Sequence, residues 1–377
     1  MSLISYVTKI HFADHVLEHA LEAELEDMAV RRPLILWDGD EGRADVRARL
    51  ECALSRGVKP KILPLNDEGA TEEACDLAAF NYQDESCDGI IAMGGATAIH
   101  LAKAVAIRVS HPGPLQDYLD CEGGLARIRN LLPPLIAIPT SAGTGTEASD
   151  TAIISLPERK CAALTSPFLI PRVVICDPTL TLDLGGRATA SAGMEALTTC
   201  VETYISSAFN PPADALAADG IRRIFRNLER ALADGRDLDV RRELMAAALN
   251  GSLAQQKGLG ALQAMSNALL STGGRQVDKG AICAILLPAV LAFNAPAASA
   301  RYGDIHHLLA LPPSSSLADA VITLREKIGL PPRLSELGVQ EEDLATAAVL
   351  AARDHANRTN PRKAGAEDYL KMLKAAL

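Results

Sequence analysis

The chain has 377 residues, is 48% hydrophobic and 22% charged, and carries a net charge of −10, the balance of a folded globular protein with room for one large domain or two. That acidity, with no basic stripe, excludes nucleic acid or an anionic membrane as the main partner. The eight cysteines form no CxxC pair and read as reduced thiols, no signal-like start is visible, and Pro288 is expected to interrupt the apolar "AICAILLPAVLAF" before it reaches spanning length, so the expected location is the cytoplasm.

In chain order, "PLILWDG" (33–39), "KILPLN" (61–66), "GIIAMGG" (89–95) and "LIAIPTS" (135–141) read as buried strands ending in turn chemistry. Between them "ADVRARLECALSRG" and "TEEACDLAAFNYQ" place apolar residues at helical spacing. Such alternation predicts a parallel sheet with helices on both faces, whose ligands bind at the carboxyl ends of the strands. After "VVICDPTLTLDL" (173–184) the chain turns Ala- and Leu-rich, with long helical patterns such as "PPADALAADGIRRIFRNLERAL". The expected organisation is an α/β domain over 1–180 and an all-helical domain over 181–377, with an active site in a cleft between them.

Three stretches carry chemistry. "MGGATAIHLAKA" (93–104) sets Gly94 and Gly95 between a strand and a helix, where backbone N–H groups and a helix dipole can meet a pyrophosphate; a plain tight turn is the competing reading. "IPTSAGTGTEAS" (138–149) gathers Thr140, Ser141, Thr144 and Thr146 around Gly143 and Gly145, a loop rich in donors for phosphate or ribose oxygens. "GMEALTTCVETYIS" (193–206) reads as a helix with carboxylates at Glu195 and Glu202 and with Thr199 four residues after Glu195.

In order and spacing, "GGATAIHLAKA", "PTSAGTGTEAS", "VVICDPTLTL", "GMEALTTCVETYIS" and "GLGALQAMSN…KGAICAILLPAVLAFN" resemble the iron-containing (group III) alcohol dehydrogenases over essentially the whole chain. The resemblance implies the dehydroquinate synthase-like architecture of an α/β dinucleotide domain and a helical domain, with NAD or NADP and usually a divalent metal. It places Gly94, Gly95, Ala96 and Thr97 at the pyrophosphate, and Thr140, Thr144 and Thr146 near the nicotinamide ribose and phosphates. Lys160 would reach a ribose, and His100 stands where the family has Asp. Lys103 matches a recurrent lysine that could equally be an exposed helix charge. Asp38, ending "LILWD", would accept from the adenosine ribose and favours NAD over NADP.

The family's metal ligands are an Asp and three His, and the matching positions here are Glu195, Thr199, Gln263 and Lys279. One carboxylate with a hydroxyl, an amide and an ammonium is not a donor set for a transition metal. His11, His15, His19, His306 and His307 lie elsewhere, and a site from Glu195, Cys200 and Gln263 is the remaining metal alternative. The expectation is therefore an NAD-dependent oxidoreductase that interconverts a small alcohol and a carbonyl compound without the metal, Lys279 neutralising the oxygen while Glu195 and Gln263 orient the substrate or the lysine. A solvated loop charge at Lys279 is the competing reading. Maleylacetate reductases share the fold and "LLPAVLAFNAPAA" looks similar to them; a catalytically silent NAD-binding relative and a dehydroquinate synthase-type cyclase complete the alternatives. The family resemblance further implies a homodimer, with "SYVTKIHF" as a strand edge for pairing.

Overall fold

The structure, a computed structural model, describes residues 4, 6–39, 44–65, 69–141, 145–157, 159–272 and 277–377. Two compact units divide the chain: residues 5–141 with 146–183, and essentially 184–377.

The first unit begins with β1 (Lys9–Phe12) and α1 (Leu17–Asp27), then runs β2 (Pro33–Trp37), α2 (Ala44–Cys52), β3 (Lys61–Pro64), α3 (Glu72–Asp84), β4 (Gly89–Gly94) and α4 (Ala96–Ser110). β5 (Leu135–Pro139), β6 (Thr151–Leu156), β7 (Arg159–Thr165) and β8 (Val173–Cys176) follow. Six strands form one parallel sheet in the order β1-β8-β5-β4-β2-β3. β2, β4, β5 and β8 are buried along their whole length, as expected when helices cover both faces and every position needs an apolar side chain. Helix starts are locally encoded: the Thr71 hydroxyl accepts from Ala74 N–H at 3.1 Å to cap α3, an arrangement worth about 1 kcal/mol. The antiparallel hairpin β6–β7 is an addition that the apolar-run pattern does not predict.

The second unit is helical among its described residues. It comprises α5 (Gly186–Ile205), α6 (Pro211–Ala233), α7 (Leu238–Ala254), α8 (Ala261–Thr272), α9 (Lys279–Leu308), α10 (Leu317–Lys327), α11 (Glu341–Arg353) and α12 (Ala366–Ala376). Two prolines and Asn210 start α6, the Asn210 side chain accepting from Ala213 N–H. The expected break at Pro288 does not occur. α9 continues through it, and the backbone leaves helical geometry only at Ala298, just after Pro296. A proline inside a helix costs about 3 kcal/mol, whereas each fully buried Leu or Val contributes roughly 1.5–3 kcal/mol; Leu286, Leu287, Val290 and Leu291 flank Pro288 and are all buried. Among the described residues α9 is the one helix long and apolar enough to cross a membrane, and most of its apolar stretch is packed inside this unit.

Candidate active site

At the carboxyl end of β4 the chain passes through Gly94 into α4, whose N-cap is Gly95 and carries no side-chain cap. The first N–H groups of a fifteen-residue helix, beginning at Ala96 and Thr97, thus open toward the strand ends. Asp38, one residue beyond β2, accepts from Gly95 N–H at 3.1 Å through Oδ2. A Cβ on Gly94 would fall 2.4 Å from that of Asp38, so the carboxylate can lie against the turn only because the turn has no side chain. Thr140 N–H donates to Gly94 O at 3.0 Å and brings the end of β5 beside it. The next residue, Ser141, has a buried hydroxyl with no hydrogen-bond partner among the described residues. It lies 3.8 Å from where a Gly95 Cβ would stand. A buried polar atom left alone costs about 1–3 kcal/mol, and a phosphate or ribose oxygen would satisfy this one. The turn therefore fits a dinucleotide.

Lys103 is not an exposed charge. It is fully buried, and its Nζ donates to Thr146 O and Ser149 O at 2.7 Å, Ser149 Oγ at 2.9 Å and Thr151 O at 3.1 Å. One ammonium thus binds the chain from Thr146 to the start of β6. Burial pushes it down to about 7, against the pull of Asp150 and Glu147. His100 accepts from Ile153 N–H at 3.2 Å through Nδ1 and holds β6 from the same helix. Thr146 is buried with its carbonyl on Lys103. Thr144 lies outside the described residues, and Lys160 is placed in β7 with its side chain outside them.

In the helical unit, Lys279 Nζ stands 2.6 Å from Glu195 Oε1. The pairing follows from how α9 starts. Asp278 caps it, accepting from Ala281 N–H at 3.1 Å and from the Ser191 hydroxyl of α5. Gly280 lies so close to α5 that a Cβ there would come 2.0 Å from Ser191 O. Ser191 is one helical turn before Glu195, so this contact delivers the Lys279 side chain to the carboxylate. Their side chains are 26% and 10% exposed, neither in bulk water nor dry. Cys283, one turn after Lys279, is buried with Sγ 3.9 Å from Ser266 Oγ of α8, and burial pushes its thiol up to about 12.

Gln263 sits in the first turn of α8. That helix starts against Glu202 of α5, whose carboxylate accepts from Leu262 N–H at 2.7 Å and Gln263 N–H at 3.1 Å. Burial raises Glu202 to about 7, and the backbone hydrogen bonds oppose the shift. The role of Glu202 is thus to cap α8. The Gln263 side chain donates through Nε2 to Asn267 Oδ1 at 2.8 Å. Thr199 Oγ1 donates back to Glu195 O at 3.0 Å.

These four side chains do not fit a divalent cation. The lysine occupies the carboxylate, the hydroxyl is turned to its own helix backbone, and the amide nitrogen binds a neighbour. Nor do any three His, Cys, Asp or Glu side chains converge elsewhere among the described residues. Cys200 does not belong to the set: its Sγ donates to Ala247 O at 3.8 Å and presses on Gly220 and Gly251, toward α6 and α7. His11 pairs with Glu24 at 2.7 Å, and His306 with Pro312 O at 3.1 Å. The sequence reading missed Asn267 and Asp354, which bond at 3.0 Å. The four-residue step from Gln263 to Asn267 on one helix face was the available signal for the first.

Comparison with known proteins accords with this architecture. The iron-containing alcohol dehydrogenase profile matches residues 7–178, and that of the Fe-containing alcohol dehydrogenase family C-terminal region matches 189–377. A 4-hydroxybutyrate dehydrogenase of Cupriavidus necator is 38% identical, with both chains covered in full. An NAD-dependent methanol dehydrogenase of Bacillus methanolicus is 29% identical over 94% of each chain. The crystal structure of a 1,3-propanediol oxidoreductase superposes with a TM-score of 0.90 at 27% identity, all of both chains included. With both halves matched and a relative of this similarity spanning its full length, the chain belongs to the iron-containing alcohol dehydrogenase family and is an oxidoreductase.

Proposed function

We propose that the protein is an NAD-dependent dehydrogenase that interconverts a short ω-hydroxy acid, 4-hydroxybutyrate being the first candidate, and its aldehyde, and that the Lys279 ammonium serves where relatives use a metal. The observation that carries this reading is the 2.6 Å Lys279–Glu195 pair at the positions that match the family's metal ligands. The names of the relatives support the substrate class and NAD.

Gly94, Gly95, Ala96, Thr97, Thr140, Ser141, Thr144, Thr146 and Lys160 would hold the cofactor, and Asp38 would disfavour a 2′-phosphate by charge and so select NAD over NADP. NAD supplies the hydride acceptor in oxidation, and NADH the donor in reduction. In reduction the carbonyl oxygen gains negative charge as hydride reaches its carbon. Lys279 donates a hydrogen bond to that oxygen and then its proton, leaving a neutral amine that solvent reprotonates. Oxidation runs in reverse: the ammonium first gives a proton to solvent, and the neutral amine then takes the hydroxyl proton. Glu195 keeps the nitrogen in place, and Gln263 contacts the substrate. The catalytic set is thus Lys279, Glu195 and Gln263. A homodimer belongs to the same proposal: β1 leaves one edge of the sheet unpaired among the described residues, with Val7 60% exposed beside it.

The test is NADH formation from 4-hydroxybutyrate after EDTA treatment, with and without added zinc or ferrous iron. Turnover indifferent to metal is expected. Turnover only with metal refutes the role of Lys279, and NADH binding without oxidation of any hydroxy acid makes the chain a silent homologue.

A further inference from the structure

We propose that Asp354 and Asn267 decide which end of the Gln263 amide meets the substrate, and that the end presented is the carbonyl oxygen, which selects a ligand bearing a hydroxyl hydrogen. The inference rests on the reading that Gln263 contacts the substrate.

The geometry is a two-amide chain ending in a carboxylate. Gln263 Nε2 donates to Asn267 Oδ1 at 2.8 Å, and Asn267 Nδ2 donates to Asp354 Oδ2 at 3.0 Å. An amide can turn either end toward a neighbour, but a carboxylate has only acceptors. Asp354 therefore compels Asn267 to aim its NH2 outward, which leaves the Asn267 oxygen for Gln263. Gln263 must answer with its own NH2. Its oxygen, with lone pairs and no hydrogen, is the end left over. Asn267, the middle member of the chain, is buried, which strengthens the bonds it makes. Asp354 is itself fixed, its Oδ1 accepting from Ala356 N–H at 2.8 Å as the cap of the short helical turn that follows α11.

An acceptor at position 263 complements the donor at Lys279. While Lys279 is charged, an alcohol oxygen accepts from the ammonium and donates its hydrogen to Gln263, and that hydrogen turns to the amine only after solvent has taken the ammonium's proton; an aldehyde oxygen has no hydrogen to give. Asp354 and Asn267 are thus positioning residues that make the site read the oxidation state of the substrate oxygen.

The experiment uses three variants of the full chain: Asp354→Asn, Asn267→Asp and the double exchange. In Asp354→Asn the cap still needs an oxygen toward Ala356 N–H, so the new NH2 faces Asn267. Both amides then reverse, and Gln263 presents its NH2. The KM for 4-hydroxybutyrate should rise about tenfold, the worth of one neutral hydrogen bond, while the KM for the corresponding aldehyde in reduction falls. A merely structural defect would raise both. Asn267→Asp sets two carboxylates against each other and should lower the melting temperature. In the double exchange the carboxylate moves to position 267 and accepts from both neighbouring amides, so the original direction, both KM values and the melting temperature should return. Equal KM shifts in Asp354→Asn, or a double exchange that rescues neither, overturn the proposal. The melting cycle needs no substrate, so its failure refutes the amide chain alone. A wild-type protein that oxidises no alcohol overturns the substrate half together with the proposed function.

Discussion

Replacing Lys279 by Met separates two jobs that the ammonium holds at once. Its Nζ is 2.6 Å from Glu195 Oε1, with the two side chains 26% and 10% exposed. Removing it strands a carboxylate in a partly dry setting. Exposed pairs are worth about 0–1 kcal/mol and breaking buried ones costs about 3–5 kcal/mol, so a pair between those limits should cost roughly 2 kcal/mol after allowance for screening. For a chain of this size that is a fall in melting temperature of about 4 °C. Loss of one donor to a developing oxyanion should lower kcat about 10²–10³-fold. The companion variant Lys279→Met/Glu195→Gln removes the stranded charge as well. It should regain most of the stability and none of the turnover. Scanning fluorimetry and NADH absorbance measure the two effects separately. If Lys279→Met stays within threefold of the wild-type rate, or if the double variant recovers activity, the ammonium is not the electrophile.

Gly94→Ala places a methyl group 2.4 Å from the Asp38 Cβ, and calorimetry should show NADH affinity falling at least about tenfold as the turn shifts from its anion-binding geometry; unchanged affinity would disconnect this turn from the cofactor. Lys103→Met removes the charged donor from Ser149 O and leaves Thr146 O and Thr151 O to share the Ser149 hydroxyl, and should cost about 2–3 kcal/mol in urea unfolding; a loss under about 1 kcal/mol would mean that Ser149 O finds another donor. Glu202 titrates near 7 when folded against 4.5 otherwise. Between those pH values the folded state keeps a proton that the unfolded chain has released, so this group's contribution to stability is present below about 4.5 and is lost as pH rises through 7. The melting-temperature difference between wild type and Glu202→Gln should shrink over that range, and a flat difference would show that Glu202 titrates normally.

The strands were legible because a parallel strand buried on both faces needs an unbroken apolar run, and "GIIAMGG" and "LIAIPTS" provide one. The β6–β7 hairpin alternates buried and half-buried positions along β6, and no Asn-Gly or Asp-Gly pair in the sequence announces its turn. Pro288 misled because a local rule was applied where tertiary burial wins. In the helical unit, motif resemblance could line up Glu195 and Lys279, but not that an ion pair closes between residues 84 apart; that depends on Gly280 touching Ser191. Lys103 is the sharper case. A lysine within "IHLAKAV" has no sequence mark of burial, since its acceptors are backbone carbonyls near residue 150, which any sequence would supply.

A cation built into the polypeptide has consequences that a coordinated one does not. Under the proposed reading the charge at the reacting oxygen is made with the protein, one per chain. It needs no loading step, does not oxidise in air, and is not withdrawn when a cell runs short of iron. It also cannot be exchanged for another ion, so the strength of the electrophile changes only through mutation of the groups around Lys279. Glu195, at 2.6 Å, is the first of these. A relative that drew its charge from a soluble ion would follow the metal content of its medium, whereas this chain would follow only the acidity around one amine.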